Sequence, residues 1–264
     1  MCSMNDFKIT NKEKGLIMAG KKNSSQTRVY PAFTKIKNQM GDFINWLNER
    51  QSCNIPTSNV DWDAMIIHFA DKQGKGEVAL PPSASLLKWM VDNYGRSNRL
   101  NAMCSKGVSL KTVLLREKMF EHDPITVRMA YDLINSGHRK GWFALEGYTR
   151  PDVYIETNRF ILLVEGKRTE TNLTDHTTCF KNGRDQLIRH MDAVLDIALD
   201  RSIFGIVIYE EGATYELDLS DSKLIDSLPH RDASERKRIK SGWLTPITWQ
   251  ELEAKFRIGY PDVC

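Results

Sequence analysis

"RPDVYIETNRFILLVEGKRTE", residues 150–170, holds two apolar runs separated by Thr157, Asn158 and Arg159. Short β-branched runs around a tight polar connection read as two strands of a hairpin. Asp152 follows Pro151 at the start of the first run, and Glu165 and Lys167 close the second. Successive side chains on a strand alternate faces, so Glu165 and Lys167 share a face and Gly166 points away. Pairing about the Thr-Asn-Arg turn matches residues whose numbers add to roughly 317, which sets Asp152 opposite Glu165. Two facing carboxylates repel and weaken the pair unless a positive charge lies between them. A divalent cation is the natural candidate, because Mg²⁺ takes oxygen ligands, uses one or two carboxylates and keeps water for the rest. Gly166 would let its own carbonyl approach such an ion, since it carries no side chain to obstruct it. The competing readings are a turn residue after proline for Asp152 and a solvated strand end for Glu165 and Lys167.

Working outward, "DPITVRMAYDLINSG" at 123–137 is a marked helix, with Asp123 as N-cap, Pro124 at the first helical position and Gly137 past the end. "SLKTVLLREKMFEH" at 109–122 also reads as helical, and "KGWFALEGYT" at 140–149 reads as a strand before the hairpin. Downstream, "GRDQLIRHMDAVLDIALD" is a helix whose stripe is Leu187, Ile188, Met191, Val194, Leu195 and Ala198. "SIFGIVIYEE" and "TYELDL" follow as strands. Between the hairpin and that helix lies a loop over 168–184 with the reading of a DNA-contacting flap or a plain connection. Upstream, "FTKIKNQMGDFINWLNER", "VDWDAMIIHFADKQ" and "SASLLKWMVDNYG" all carry helical spacing, and "GKGEVALPPSAS" is a loop. The expected division is a flexible leader over 1–27, a helical region over 28–105 and an α/β domain over 106–264.

Of the 264 residues 41 % are hydrophobic and 27 % charged, as in an ordinary globular chain. No apolar run approaches the ~18 residues that cross a bilayer, and the start lacks a secretory signal, so a cytoplasmic protein with no membrane partner is expected. The five cysteines are scattered without a CxxC pair, which speaks against a disulfide framework or zinc knuckle. Residues 1–110 carry 15 Lys and Arg against 9 Asp and Glu, and residues 111–264 carry 22 against 25. The basic N-terminal part suits a polyanion or a solvated surface equally. The same two readings apply to Arg236, Lys237, Arg238 and Lys240 in "HRDASERKRIKSGW": a basic helix on DNA, or a solvated helix face.

"PD", twelve residues, then "EGK" resembles the signature of the PD-(D/E)XK nuclease superfamily. The element order around it, helix, three strands, helix, strand, is similar to that superfamily's restriction-endonuclease-like core, a mixed sheet here preceded by a helical N-terminal region. The resemblance covers about residues 110–220. It implies that Asp152 and Glu165 bind Mg²⁺, or Mn²⁺ in its place, with the carbonyl of Gly166. Lys167 would position the attacking water, and Gln186 would support the site or touch the substrate backbone. Several members carry a Gln-xxx-Tyr pair on the helix after the second acid; here Gln186 is followed by His190. Many also use an acid from the first core helix, for which Glu117, Glu121 and Asp132 stand upstream without one being preferred. The implied activity is endonucleolytic hydrolysis of DNA phosphodiesters, with a restriction or phage-defence role by fold analogy alone. Expected partners are DNA and, left open, a second copy of the chain. The alternatives are a non-catalytic nucleic-acid-binding protein that retains the fold, and an RNA-cleaving relative.

Overall fold

The computed structural model describes residues 24–51, 54–95, 109–168, 184–213 and 218–261. Five strands form one mixed sheet in the order β1-β2-β3-β4-β5. They are β1 (Ile66–Phe69), β2 (Val153–Glu156), β3 (Phe160–Gly166), β4 (Ser202–Tyr209) and β5 (Ile247–Thr248). β1 pairs antiparallel with β2 and β2 antiparallel with β3, while β3 pairs parallel with β4 and β4 parallel with β5. The β2–β3 register is Val153↔Val164 through Glu156↔Ile161, the pairing read from the hairpin. Asp152 is thereby set against Glu165.

β3 is buried along its whole length, as expected of a central strand covered on both faces. Phe160, Leu162 and Val164 face a core shared with α1 (Tyr30–Ile36), α2 (Met40–Asn48) and α9 (Trp249–Phe256). Ile161 and Leu163 face α6 (Gln186–Ala198), which bridges β3 to β4. Period-2 alternation therefore carries Glu165 and Lys167 onto the α6 side. α6 starts where Asp185 accepts from the N–H groups of Leu187 and Ile188, at 2.8 and 3.1 Å. Its apolar stripe is buried as the spacing implied.

α3 (Ala84–Asn93), α4 (Leu110–Phe120) and α5 (Pro124–Asn135) form a helical unit between β1 and β2. It has a separate core of Leu86, Leu87, Met90, Met119, Phe120, Ala130, Ile134, Phe143 and Leu145. Ser83, Ser109 and Asp123 cap the three helices through the N–H groups of Leu86, Thr112 and Thr126. Towards the C-terminus lie α7 (Asp221–Ser227) and α8 (Ala233–Ser241).

The structure corrects four expectations. Residues 66–69 are an edge strand, not part of a helix: Ile66 is 48 % exposed and pairing with β2 decides the conformation. Residues 140–149 are irregular; Phe143 and Leu145 are buried among helices, and only Thr149 makes an isolated bridge, to Leu80. The 28–105 region is therefore not a helical unit: its first part packs on the sheet and supplies β1, while its last helix joins the 84–145 unit. The end of the expected leader is also structured, because a π-helical turn spans Ser25–Val29 and Thr27 is buried. Most of "TYELDL", the 169–183 loop and all five cysteines lie outside the described residues.

Candidate functional site: a carboxylate pair at the end of β3

The antiparallel ladder stops at Val153, because Pro151 has no N–H to continue it. The N–H of Gly166, two residues past the last pair, donates instead to Asp152 Oδ2 at 2.7 Å. Ser25 Oγ donates to the other oxygen at 3.3 Å. In a strand a residue's N–H and C=O point the same way, so the Gly166 carbonyl also looks towards Asp152. Gly166 is required for a further reason. A Cβ there would lie 2.7 Å from the Trp249 ring and 2.9 Å from Val29, and Trp249 Nε1 donates to the Lys167 carbonyl at 2.9 Å.

Glu165 is buried, and both of its oxygens have donors. Lys167 Nζ approaches Oε1 at 2.7 Å and His190 Nε2 approaches Oε2 at 2.9 Å. Lys167 Nζ also donates to Gln186 Oε1 at 2.6 Å. Two residues of strand advance about 6.6 Å and four residues of helix about 6 Å. Gln186 and His190, one turn apart on α6, can therefore each meet one of the two strand residues, Lys167 and Glu165 respectively.

The two carboxylates are electrostatically unequal. Burial works to raise the Glu165 carboxyl, but the Lys167 charge and the His190 hydrogen bond outweigh it and hold the group at about 2. Asp152 is pushed well above the ordinary carboxylate range, first by burial and then by the Glu165 charge, against the opposing Lys167 and Gly166 N–H. Glu77, in the loop after β1, is raised by its own burial and by Glu165, with Arg150 opposing. A cation between Asp152 and Glu165 would relieve this repulsion, and each carboxylate oxygen keeps lone pairs beyond those its donors use. The donor set is nevertheless small. Among the described residues no group of three or more His, Cys, Asp or Glu is arranged to hold a metal ion. Two carboxylates and a carbonyl still suit Mg²⁺, which keeps several waters, better than a metal that needs a full protein cage.

The structure thus brings together Asp152, Glu165, Gly166, Lys167 and Gln186. It leaves Arg236, Lys237, Arg238 and Lys240 elsewhere. Arg238 Nη2 donates to the carbonyls of Leu199 and Arg201, both at 2.6 Å, at the start of β4. The site lies at the far end of the parallel neighbour β3, roughly 20 Å away along the strand direction. Arg236 donates to the carbonyls of Arg231 and Leu228, and Lys240 pairs with Asp221 at 3.0 Å. Two of these four cations therefore staple α8 to neighbouring backbone. Glu117, Glu121 and Asp132 sit in the helical unit with the separate core. Glu77 carried no sequence signal, because it is brought near Glu165 by a loop closed only in three dimensions.

No protein-family model matches the chain, and neither a curated protein nor a solved structure matches it. No helix among the described residues is long and apolar enough to cross a membrane.

Proposed function

We propose that this chain is a Mg²⁺-dependent nuclease that hydrolyses DNA phosphodiester bonds at the end of β2 and β3. The observation that carries the reading is the directly opposed pair Asp152 and Glu165, with Glu165 held ionised beside Lys167 and Asp152 raised first by its burial and then by the Glu165 charge. A pair meant only for stability has no use for that repulsion.

Element order supports a restriction-endonuclease-like core in a revised form. The first core helix corresponds to α1 and α2, followed by β1. The helical unit over 84–145 is an insertion, after which β2, β3, α6 and β4 complete the series. The antiparallel β1-β2-β3 meander and the parallel β3–β4 pair are the arrangement such a core needs.

Asp152, Glu165 and the Gly166 carbonyl would hold the ion. Bound there, Mg²⁺ supplies Lewis-acid polarisation of a phosphoryl oxygen and a more acidic water. Lys167, steadied by Glu165 and Gln186, presents a fixed positive charge to the water and to charge developing on the phosphate. The water gives up a proton as its oxygen bonds to phosphorus and one ester P–O bond breaks, and the departing oxygen takes up a proton from solvent, leaving a phosphate monoester and an alcohol.

The test is cleavage of supercoiled and linear DNA, with RNA in parallel, in Mg²⁺ or Mn²⁺ and in chelator. Metal-dependent cuts lost in Asp152→Asn and Lys167→Ala are expected. Salt-sensitive DNA binding without a cut at any metal concentration would select the non-catalytic alternative, and cleavage of RNA alone the RNA-cleaving one.

A further inference from the structure

We propose that His190, itself held by Thr149, is a positioning residue that fixes the orientation of Glu165 for the cation. This rests on the reading of Asp152 and Glu165 as the cation-holding pair. The chain of contacts is short and closed to solvent. Thr149 Oγ1 lies 2.7 Å from His190 Nδ1, and His190 Nε2 lies 2.9 Å from Glu165 Oε2. Thr149, His190 and Glu165 are 6 %, 2 % and 4 % exposed.

For a neutral imidazole the donors and acceptors in this chain leave one arrangement. Ionised Glu165 only accepts, so Nε2 carries the proton. In the neutral ring Nδ1 is then the acceptor, and the Thr149 hydroxyl donates to it. Thr149 is well placed to fix that tautomer, because its backbone is pinned to Leu80 by two hydrogen bonds of 2.8 and 2.9 Å. The other charged groups acting around Glu165 are Lys167 beside it, Asp152 and Glu77 across from it, and Arg189 on α6. Of these only Lys167 also holds a Glu165 oxygen, and it holds the other one. Removing His190 therefore frees one half of the carboxylate to rotate. A hydrogen-bond partner that orients a metal-binding carboxylate typically carries 10–100-fold in metal affinity or activity.

The decisive experiment is Mn²⁺ binding to the full chain by titration calorimetry, with cleavage kinetics on the same samples. His190→Ala is expected to bind Mn²⁺ about 10–100-fold more weakly, with kcat falling and the KM for DNA little changed. His190→Gln carries both a donor and an acceptor and should restore most of the loss; Thr149→Ser should resemble wild type and Thr149→Val should not. Wild-type Mn²⁺ affinity in His190→Ala overturns the proposal. Equal loss in His190→Ala and His190→Gln also overturns it, since that marks a purely structural histidine. If wild type itself binds no Mn²⁺, the nuclease reading falls and ring ¹⁵N shifts decide the positioning claim. An Nε2–H tautomer that Thr149→Val abolishes supports it; a tautomer unchanged in Thr149→Val overturns it.

Discussion

α6 carries two buried carboxylate clusters, and they are built to opposite ends. Near its middle Asp192 is surrounded by partners: the cations Arg184 and Arg231, both at 2.8 Å, and the His230 ring at 2.9 Å. Burial opposes its charge, but the His230 hydrogen bond and the arginines hold it well below the usual carboxylate range. Arg231 reaches on to Asp196 and Glu235, and Arg189 pairs with Glu146 at 2.6 Å. This network ties α6 to Glu146 and to the segment before α8, and each of its charged groups has an opposite charge beside it, although Glu146 Oε2 and His230 Nδ1 are buried without a hydrogen-bond partner. At the N-terminal end of α6, Glu165 is matched by Lys167 and His190, but Asp152 is left beside it with its carboxyl raised. Burial alone therefore does not mark a functional site. What sets the second cluster apart is a carboxyl raised by its burial and by Glu165, the feature on which the proposed cation site rests.

The two clusters should respond to substitution in opposite ways, and the largest effect belongs to Asp192. Asp192→Ala strands buried cations and is expected to cost about 3–5 kcal/mol, read as a lower urea midpoint. Asp152→Asn keeps an oxygen for the Gly166 N–H and should leave stability equal or higher without metal. An Asp152→Asn loss as large as that of Asp192→Ala would make both clusters structural. In cleavage the order reverses. Asp152→Asn should lower the metal-dependent rate by at least about 10²–10³-fold, the scale for removing one charge-stabilising group.

Acid titration separates the clusters by sign. Asp192 and Glu165 are depressed in the fold, so their stabilisation is present above the unfolded carboxylate value of about 4 and fades as pH falls through the lower folded values. Asp152 is raised, so the folded chain holds its proton more tightly than the unfolded chain does. It costs stability as pH rises from about 4 through the folded value. Without metal, Asp152→Asn should therefore gain on wild type as pH rises across that window, measured by denaturant unfolding at each pH. Added Mg²⁺ should narrow the gap, because it stabilises only the form with the intact pair. A gap that is flat with pH would place Asp152 in solvent.

The hairpin shows which features local sequence can carry. Its register followed from the Thr157–Arg159 turn and from alternation in β3, because a two-strand unit with a short connection leaves little freedom. The capped helices were legible for the same local reason. β1 was not. Four residues are too few to show a period, and Ile66 and Ile67 are adjacent apolar residues that suit either a helix or an edge strand. "KGWFALEGYT" misled in the other direction, since the burial of Phe143 and Leu145 among helices mimics strand alternation. In the site, Asp152, Glu165 and Lys167 were visible as a pattern, and Gln186 with His190 as an i, i+4 pair. Glu77 and Thr149 depend on where β1 and the helical unit return the chain, which only tertiary structure decides.

The smallest expected effect tests what α8 contributes. Arg236 and Arg238 spend their guanidinium groups on backbone carbonyls, which leaves Lys237 and Lys240 as the exposed cations of the four. Lys240 is already paired with Asp221 on the surface. Replacing Lys237 and Lys240 together by alanine should shift stability by no more than about 0.5 kcal/mol. If the helix stands roughly 20 Å from the scissile bond as a solvated face, the salt dependence of DNA binding should keep its slope. A slope reduced by about one unit per lysine would instead show phosphates reaching α8. The bound duplex would then have to run the length of the sheet, from the start of β4 to the carboxylate pair.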